Sequence, residues 1–210
     1  MASLAVGLLI GSLLQVVLQW PGLRDARFHF TLDLSHPALR RIMRLYVPIL
    51  LGLVVDQLAV GLSYNLASRT GDQSINWMKY SATLIQFPLG LVATAVSIAI
   101  LPTLSRQATD GRPEPFKATL AQGLRLVLAL TIPATVGLWV LATPIVALVF
   151  EHGDFTPADT LATVAALRYH LVGLVFAAVD QPLIFAFYAR KKTWTPAMVG
   201  VATVILYVIL

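Results

Sequence analysis

Apolar positions in this chain gather into six long runs, and the charged residues are almost confined to the five stretches between them. The first run is Met1 to Trp20, with no charged side chain. The second is Leu45 to Ala67, interrupted only by Asp56. The third extends from about Ile75 to Leu104 with Pro88 near its middle, and the fourth is Leu126 to Phe150 with Pro133 and Pro144. The fifth is Leu171 to Tyr188 with Asp180 and Pro182, and the sixth begins at Pro196 and is still apolar at Leu210. Such runs suit helices that cross a hydrocarbon core roughly 30 Å thick, which takes about 20 residues. They are apolar on every face, whereas barrel strands alternate over about ten residues, so a β-barrel is excluded. A proline inside a soluble helix costs about 3 kcal/mol. In a membrane bundle, neighbouring helices and polar side chains satisfy the freed carbonyls, and kinked helices are frequent in transporters.

The pattern therefore predicts an all-α, polytopic transmembrane helix bundle with about six membrane helices. They are expected at 1–20, then at about 45–67, 75–104, 120–150 and 159–189, with a truncated one at 196–210. The first run lacks the basic start and short apolar core of a signal peptide, so it reads as a spanning helix. Its Gly7 and Gly11 form a GxxxG pair of the kind that lets two helices approach. Fifteen residues of the last run reach only roughly 22 Å. The chain is expected to stop inside a helix and to be a piece of a longer protein.

Composition agrees with this class. Charged residues are 12% of the chain, about half of what coats a soluble domain. There is no cysteine, so neither a disulfide framework nor a thiolate metal site is available. The net charge of +5 does not indicate nucleic acid, because the basic residues sit in short loops without aromatic interleaving. Their placement carries topology instead. Arg24, Arg27, Arg40, Arg41 and Arg44 lie between the first two runs; Arg106, Arg112 and Lys117 lie between the third and fourth; Arg190, Lys191 and Lys192 follow the fifth. These alternate loops hold eleven of the fifteen basic residues. The intervening loops hold Arg69 with Asp72, then Glu151, Asp154 and Asp159. The positive-inside rule puts loops 21–44, 105–119 and 189–195 in the cytoplasm.

The long first loop has an order of its own. Ser35 is a good N-cap, Pro37 suits a first turn, and Leu39, Ile42, Met43 and Tyr46 alternate with Arg40, Arg41 and Arg44. This fits either a short interfacial helix with its arginines on anionic headgroups or a basic flank that enforces topology. In both readings residues 21–44 are the linker between two helical bundles.

Enzymatic chemistry has no foothold here. No HExxH or GxSxG string occurs, and His29, His36, His152 and His170 are scattered over different loops and helix ends. No cofactor or metal is expected. What remains is a set of intramembrane polar groups, which are costly in a bilayer and usually face a cavity or a partner. Asp56, followed by Gln57, lies midway along the second run, and Asp180 with Gln181 and Pro182 midway along the fifth. Either carboxylate suits binding a proton or cation, or pairing with a neighbouring helix. Lys79 sits in the first turns of the third run with Thr83 and Gln86 below it.

Three strings carry a resemblance. Asn76-Trp77-Met78-Lys79-Tyr80, Phe87-Pro88-Leu89-Gly90 and Leu101-Pro102-Thr103-Leu104-Ser105 resemble the signature helix of the MurJ/MviN family of bacterial lipid II flippases. Phe150-Glu151-His152-Gly153-Asp154-Phe155 is similar to that family's outer loop of the form F-x-x-G-x-F. Phe187-Tyr188-Ala189-Arg190 followed by Thr195-Pro196 is similar to its FYA…TP junction. The resemblance implies a two-lobed exporter fold of about fourteen helices in the multidrug/oligosaccharidyl-lipid/polysaccharide exporter superfamily. It implies an inner-membrane protein that moves the undecaprenyl-diphosphate-linked peptidoglycan precursor by alternating access, with membrane lipids and the cell-wall synthesis machinery as neighbours. Residues 1–20 would be the last helix of the first lobe, 21–44 the linker and 45–210 the first part of the second lobe. The family's cavity arginine aligns with Thr83 and its neighbouring carboxylate with Gln86, so Lys79, one turn nearer the outside, is the candidate substitute for the arginine. Its alternative role is to snorkel to the headgroups. Members that bind a cation carry a carboxylate where this chain has Ser63, Tyr64 and Asn65. The alternatives are a polysaccharide-precursor or drug exporter of the same superfamily, or an inactive truncated or scaffold subunit.

Overall fold

The computed structural model describes residues 2–19, 37–71 and 73–209. All regular structure among them is helical: α1 (Ala2–Gln19), α2 (Pro37–Ser68), α3 (Ser74–Pro88), α4 (Ala95–Thr109), α5 (Pro113–Val140), α6 (Ala142–Phe150), α7 (Pro157–Ala189) and α8 (Trp194–Ile209). A π-helical stretch, Leu89–Thr94, joins α3 to α4. Among the described residues, four helical segments are long and apolar enough to span a membrane: Ile42–Ser68, Ser74–Thr109, Pro113–Val140 and Pro157–Ala189. The shorter apolar helices are Leu9–Gln19 and Trp194–Ile209. The chain divides into two compact units, Met1–Arg40 and Arg41–Leu210. The first holds α1 and the opening residues of α2; the bundle belongs to the second.

Proline decides where the rods break. Pro88 has no N–H to donate and crowds the carbonyl before it. The helix absorbs this by widening to the π form over the next six residues, so that Ser74–Thr109 continues as one rod. Pro133 is accommodated inside α5, but Pro144 is not accommodated in a continuing helix. The chain breaks at Leu141 (φ −94°, ψ 14°) and restarts with Pro144 in the first turn of α6, where an N–H would be unbonded anyway. The single helix expected at 120–150 is thus two helices, and the first begins earlier, at Pro113. Of the two readings of residues 37–44, a separate short helix is not what forms. No breaker lies between Pro37 and Pro48, and they form the first turns of α2. The proposed cap Ser35 and the loop 21–36 lie outside the described residues.

α7 is the axis of the second unit. Its buried positions recur every three or four residues, among them Thr160, Val164, Leu167, Leu171, Leu174, Ala178, Pro182, Ala186 and Ala189. Toward one end Leu167, Leu171 and Leu174 pack with Ala142 and Val146 of α6. Midway Ala178 meets Ala93 and Val127, and at the other end Ala186 and Ala189 meet Leu104 and Phe116. Lipid tails are as apolar as leucine, so close packing rather than the hydrophobic effect holds such helices together. Small residues accordingly sit at the contacts. A Cβ on Gly123 of α5 would lie 2.7 Å from Ile100 Cδ1 of α4.

The two ends of this bundle differ in charge. The α4–α5 and α7–α8 turns meet at one end, where the Arg190 guanidinium lies 4.2 Å from the centre of the Phe116 ring. The α2–α3 and α6–α7 turns lie at the other. There Trp77 Nε1 donates to Asp159 Oδ1 (2.8 Å) while Asp159 closes a capping box with Thr156. Two of the loops that the charge pattern grouped as basic, 105–119 and 189–195, thus share one end of the bundle; most of the third, 21–44, lies outside the described residues.

Candidate functional site

The intramembrane carboxylates, which the sequence leaves on separate helices, line one cavity. It has a volume of about 690 Å³ and lies between α2, α7 and α8. Asp56 comes from α2, Asp180 and Tyr188 from α7, and Thr203 from α8; the remaining wall is largely apolar, including Pro48, Leu53 and Phe176. Among the described residues neither aspartate is in a salt bridge. Two carboxylates, a phenol and a hydroxyl in an apolar wall are hard oxygen groups of the kind that suit a proton or an alkali or alkaline-earth cation. No group of three or more metal-ligating side chains occurs among the described residues. Tyr188 was not singled out by sequence reasoning, because its part in the FYA string concealed its position two turns past Asp180 on the same face.

The other candidates are elsewhere. Lys79, Thr83 and Gln86 share an exposed face of α3, not the carboxylate cavity. Lys79 Nζ stands 5.5 Å from the centre of the Tyr64 ring on α2, and Thr83 Oγ1 donates to the Lys79 carbonyl at 2.9 Å. At Ser63, Tyr64 and Asn65, where the sequence resemblance led one to look for a carboxylate, the side chains already have neighbours. Ser63 Oγ donates to the Ala59 carbonyl (2.8 Å) and lies 3.1 Å from Tyr207 Oη of α8. Asn65 Oδ1 accepts from Arg69 Nη2 at 3.3 Å. Arg40 and Arg44 are exposed on the first turns of α2; the side chain of Arg41 lies outside those described. Sequence reasoning also passed over Arg168. It falls within the helix expected at 159–189 and lies well inside α7, with its guanidinium 5.9 Å from the Trp139 ring centre.

The structure also gives physical reasons for the recurring strings. In Phe150–Phe155 the chain reverses through Gly153 (φ 64°), a conformation that side chains other than glycine adopt at a cost. The reversal sets both phenylalanines on Tyr80, at ring-centre distances of 4.7 and 5.3 Å. At the FYA…TP junction, α7 ends in a Schellman arrangement: Lys192 N donates to the Phe187 carbonyl (3.0 Å), and Lys191 takes the left-handed position usually held by glycine (φ 57°). Pro196 then falls in the first turn of α8.

Residues 1–210 match the family model described as "Lipid II flippase MurJ". The chain belongs to the lipid II flippase MurJ family. It is 34% identical over 210 residues to the probable lipid II flippase MurJ of Vibrio cholerae serotype O1, an alignment covering 99% of this chain and 40% of that protein. It is 30% identical to the lipid II flippase MurJ of Burkholderia cenocepacia, over 97% of this chain and 40% of that protein. A solved lipid II flippase MurJ in an inward closed conformation superposes with a TM-score of 0.70 at 30% identity, covering 97% of this chain and 43% of that one. The chain thus spans about 40% of the length of these MurJ relatives. It is a multi-pass membrane protein of a transporter family, not an enzyme.

Proposed function

We propose that this chain is the central part of a flippase that carries the undecaprenyl-diphosphate-linked peptidoglycan precursor across the bacterial inner membrane by alternating access. The observation that carries the reading is the family match over all 210 residues. In this reading α1 is the last helix of the first lobe, 21–44 is the linker with Arg40, Arg41 and Arg44 on anionic headgroups, and 45–210 opens the second lobe. Lys79, with Thr83 and Gln86 below it, faces the lipid diphosphate, and a lysine serves there as a point charge without arginine's bidentate fork. Asp56 and Asp180 couple the cycle to a proton or cation. The deciding experiment is complementation in a bacterium depleted of its own flippase. The protein at its full natural length is expected to restore growth. Residues 1–210 alone are expected to insert without rescue, because alternating access needs two bundles rocking about a central site. Failure of the full-length protein at normal membrane levels, with the precursor still trapped inside, would refute the assignment.

The same reading orients the bundle with its basic end in the cytoplasm. The absence of cysteine from this chain makes single-cysteine labelling clean. In intact cells Gln107→Cys and Lys191→Cys are expected to resist an impermeant thiol reagent, while Asp154→Cys reacts. Labelling at 191 with 154 protected would reverse the orientation.

A further inference from the structure

At the basic end, the α4–α5 and α7–α8 turns border an open pocket of about 520 Å³, within the size range of small-molecule sites. Four cationic residues line it: Arg112 from one turn and Arg190, Lys191 and Lys192 from the other. No carboxylate is among the lining residues. Of the nearest acids in sequence, Asp110 is not in the wall and Glu114 is paired with Lys117 at 2.9 Å. Among the described residues none of the four cations is in a salt bridge. We propose that this pocket binds a phosphate group, supplied in the membrane by the headgroup of an anionic phospholipid.

Three features make it a built site rather than a diffuse basic surface. Arg190, exposed at the end of α7, stacks its planar fork on Phe116, 4.2 Å from the ring centre, which favours one placement of its charge at the pocket. The left-handed Lys191 and the Lys192 N–H to Phe187 carbonyl bond fix the backbone of three consecutive, exposed cations in one tight turn at the end of α7. An L-residue in that conformation is strained where glycine would relax it. Finally, Phe116, Ala108 and Ala189 give the pocket an apolar wall at the end of membrane-length helices. Such a wall suits the glycerol region of a lipid whose phosphate meets the cations. Basic pockets between spanning helices hold lipid headgroups in this way. The site is separate from the Asp56–Asp180 cavity and does not depend on the transported substrate.

Native mass spectrometry of the protein at its full natural length, in a neutral detergent doped with phosphatidylglycerol or phosphatidylcholine, tests this. Phosphatidylglycerol is expected to be retained about tenfold more than phosphatidylcholine. Arg112 and Lys192 are exposed, so Arg112→Gln/Lys192→Gln should fold, and it is expected to bring retention down to the phosphatidylcholine level. The single Lys192→Gln should lose about threefold. Arg106→Gln, an exposed basic residue at the same end but outside the pocket, should change retention less than twofold. Displacement of the lipid by millimolar inorganic phosphate supports the phosphate chemistry and assigns a soluble source; retention in its presence assigns the lipid. Equal retention of the two lipids, or an equal loss with Arg106→Gln, overturns the proposal.

Discussion

Asparagine at both Asp56 and Asp180 is expected to cut transport by roughly 100-fold and to flatten whatever dependence remains on sodium or on pH. Each carboxylate gives a bound ion charge-assisted contacts of about 1.5–3 kcal/mol, and about 1.4 kcal/mol is a factor of ten. Both line the same cavity with Tyr188, so the single variants should each lose part of the effect. Folding is not expected to confuse the result. A mid-helix aspartate costs about 2.5–3.5 kcal/mol on insertion scales, so the amide inserts at least as well as the acid. The measurement is precursor flipping at matched membrane levels across a series of ion and pH gradients. A double variant that flips at the parental rate with unchanged ion and pH dependence would reduce the carboxylates to helix packing.

Lys79→Gln in the full-length protein is expected to abolish complementation, and adding Thr83→Arg to it is expected to restore growth. Position 83 lies on the same face one turn deeper, and arginine there would supply a bidentate fork in place of the lysine's point charge. The structure adds a competing role, because Lys79 also caps the Tyr64 ring of α2 at 5.5 Å. Such a contact contributes about 0.5–1 kcal/mol at exposed sites, too little to account for complete loss. Tyr64→Leu separates the two roles: it removes the ring and leaves the charge, so it should weaken flipping only slightly. Intact flipping in Lys79→Gln at normal protein levels would make Lys79 an interfacial anchor and move diphosphate binding to other helices. Equal losses in Lys79→Gln and Tyr64→Leu would make the contact a helix clamp.

The sequence alone determined the all-α membrane class, the long apolar runs of α2, α3–α4 and α7, and the grouping of the α4–α5 turn with the α7–α8 turn. These depend on bilayer thickness, which sets run length, and on the cost of moving arginine and lysine across it, which sets their alternation between loops. The match of Trp77, Phe150 and Phe155 to recurring strings also needed no coordinates. What only the tertiary structure decided is which side of each rod faces inward. In a soluble bundle the polar face gives this away, but α7 meets apolar surroundings on both sides. Its core positions Leu167, Leu171 and Leu174 are therefore chemically no different from the exposed Val172 and Phe176. The same ambiguity hid the shared cavity of Asp56 and Asp180, whose convergence depends on how α2, α7 and α8 are rotated about their axes. It also hid the contact of Lys79 with Tyr64. The break at Leu141 was hidden for another reason: Pro133 and Pro144 read alike in sequence, and only one of them falls where its helix can continue.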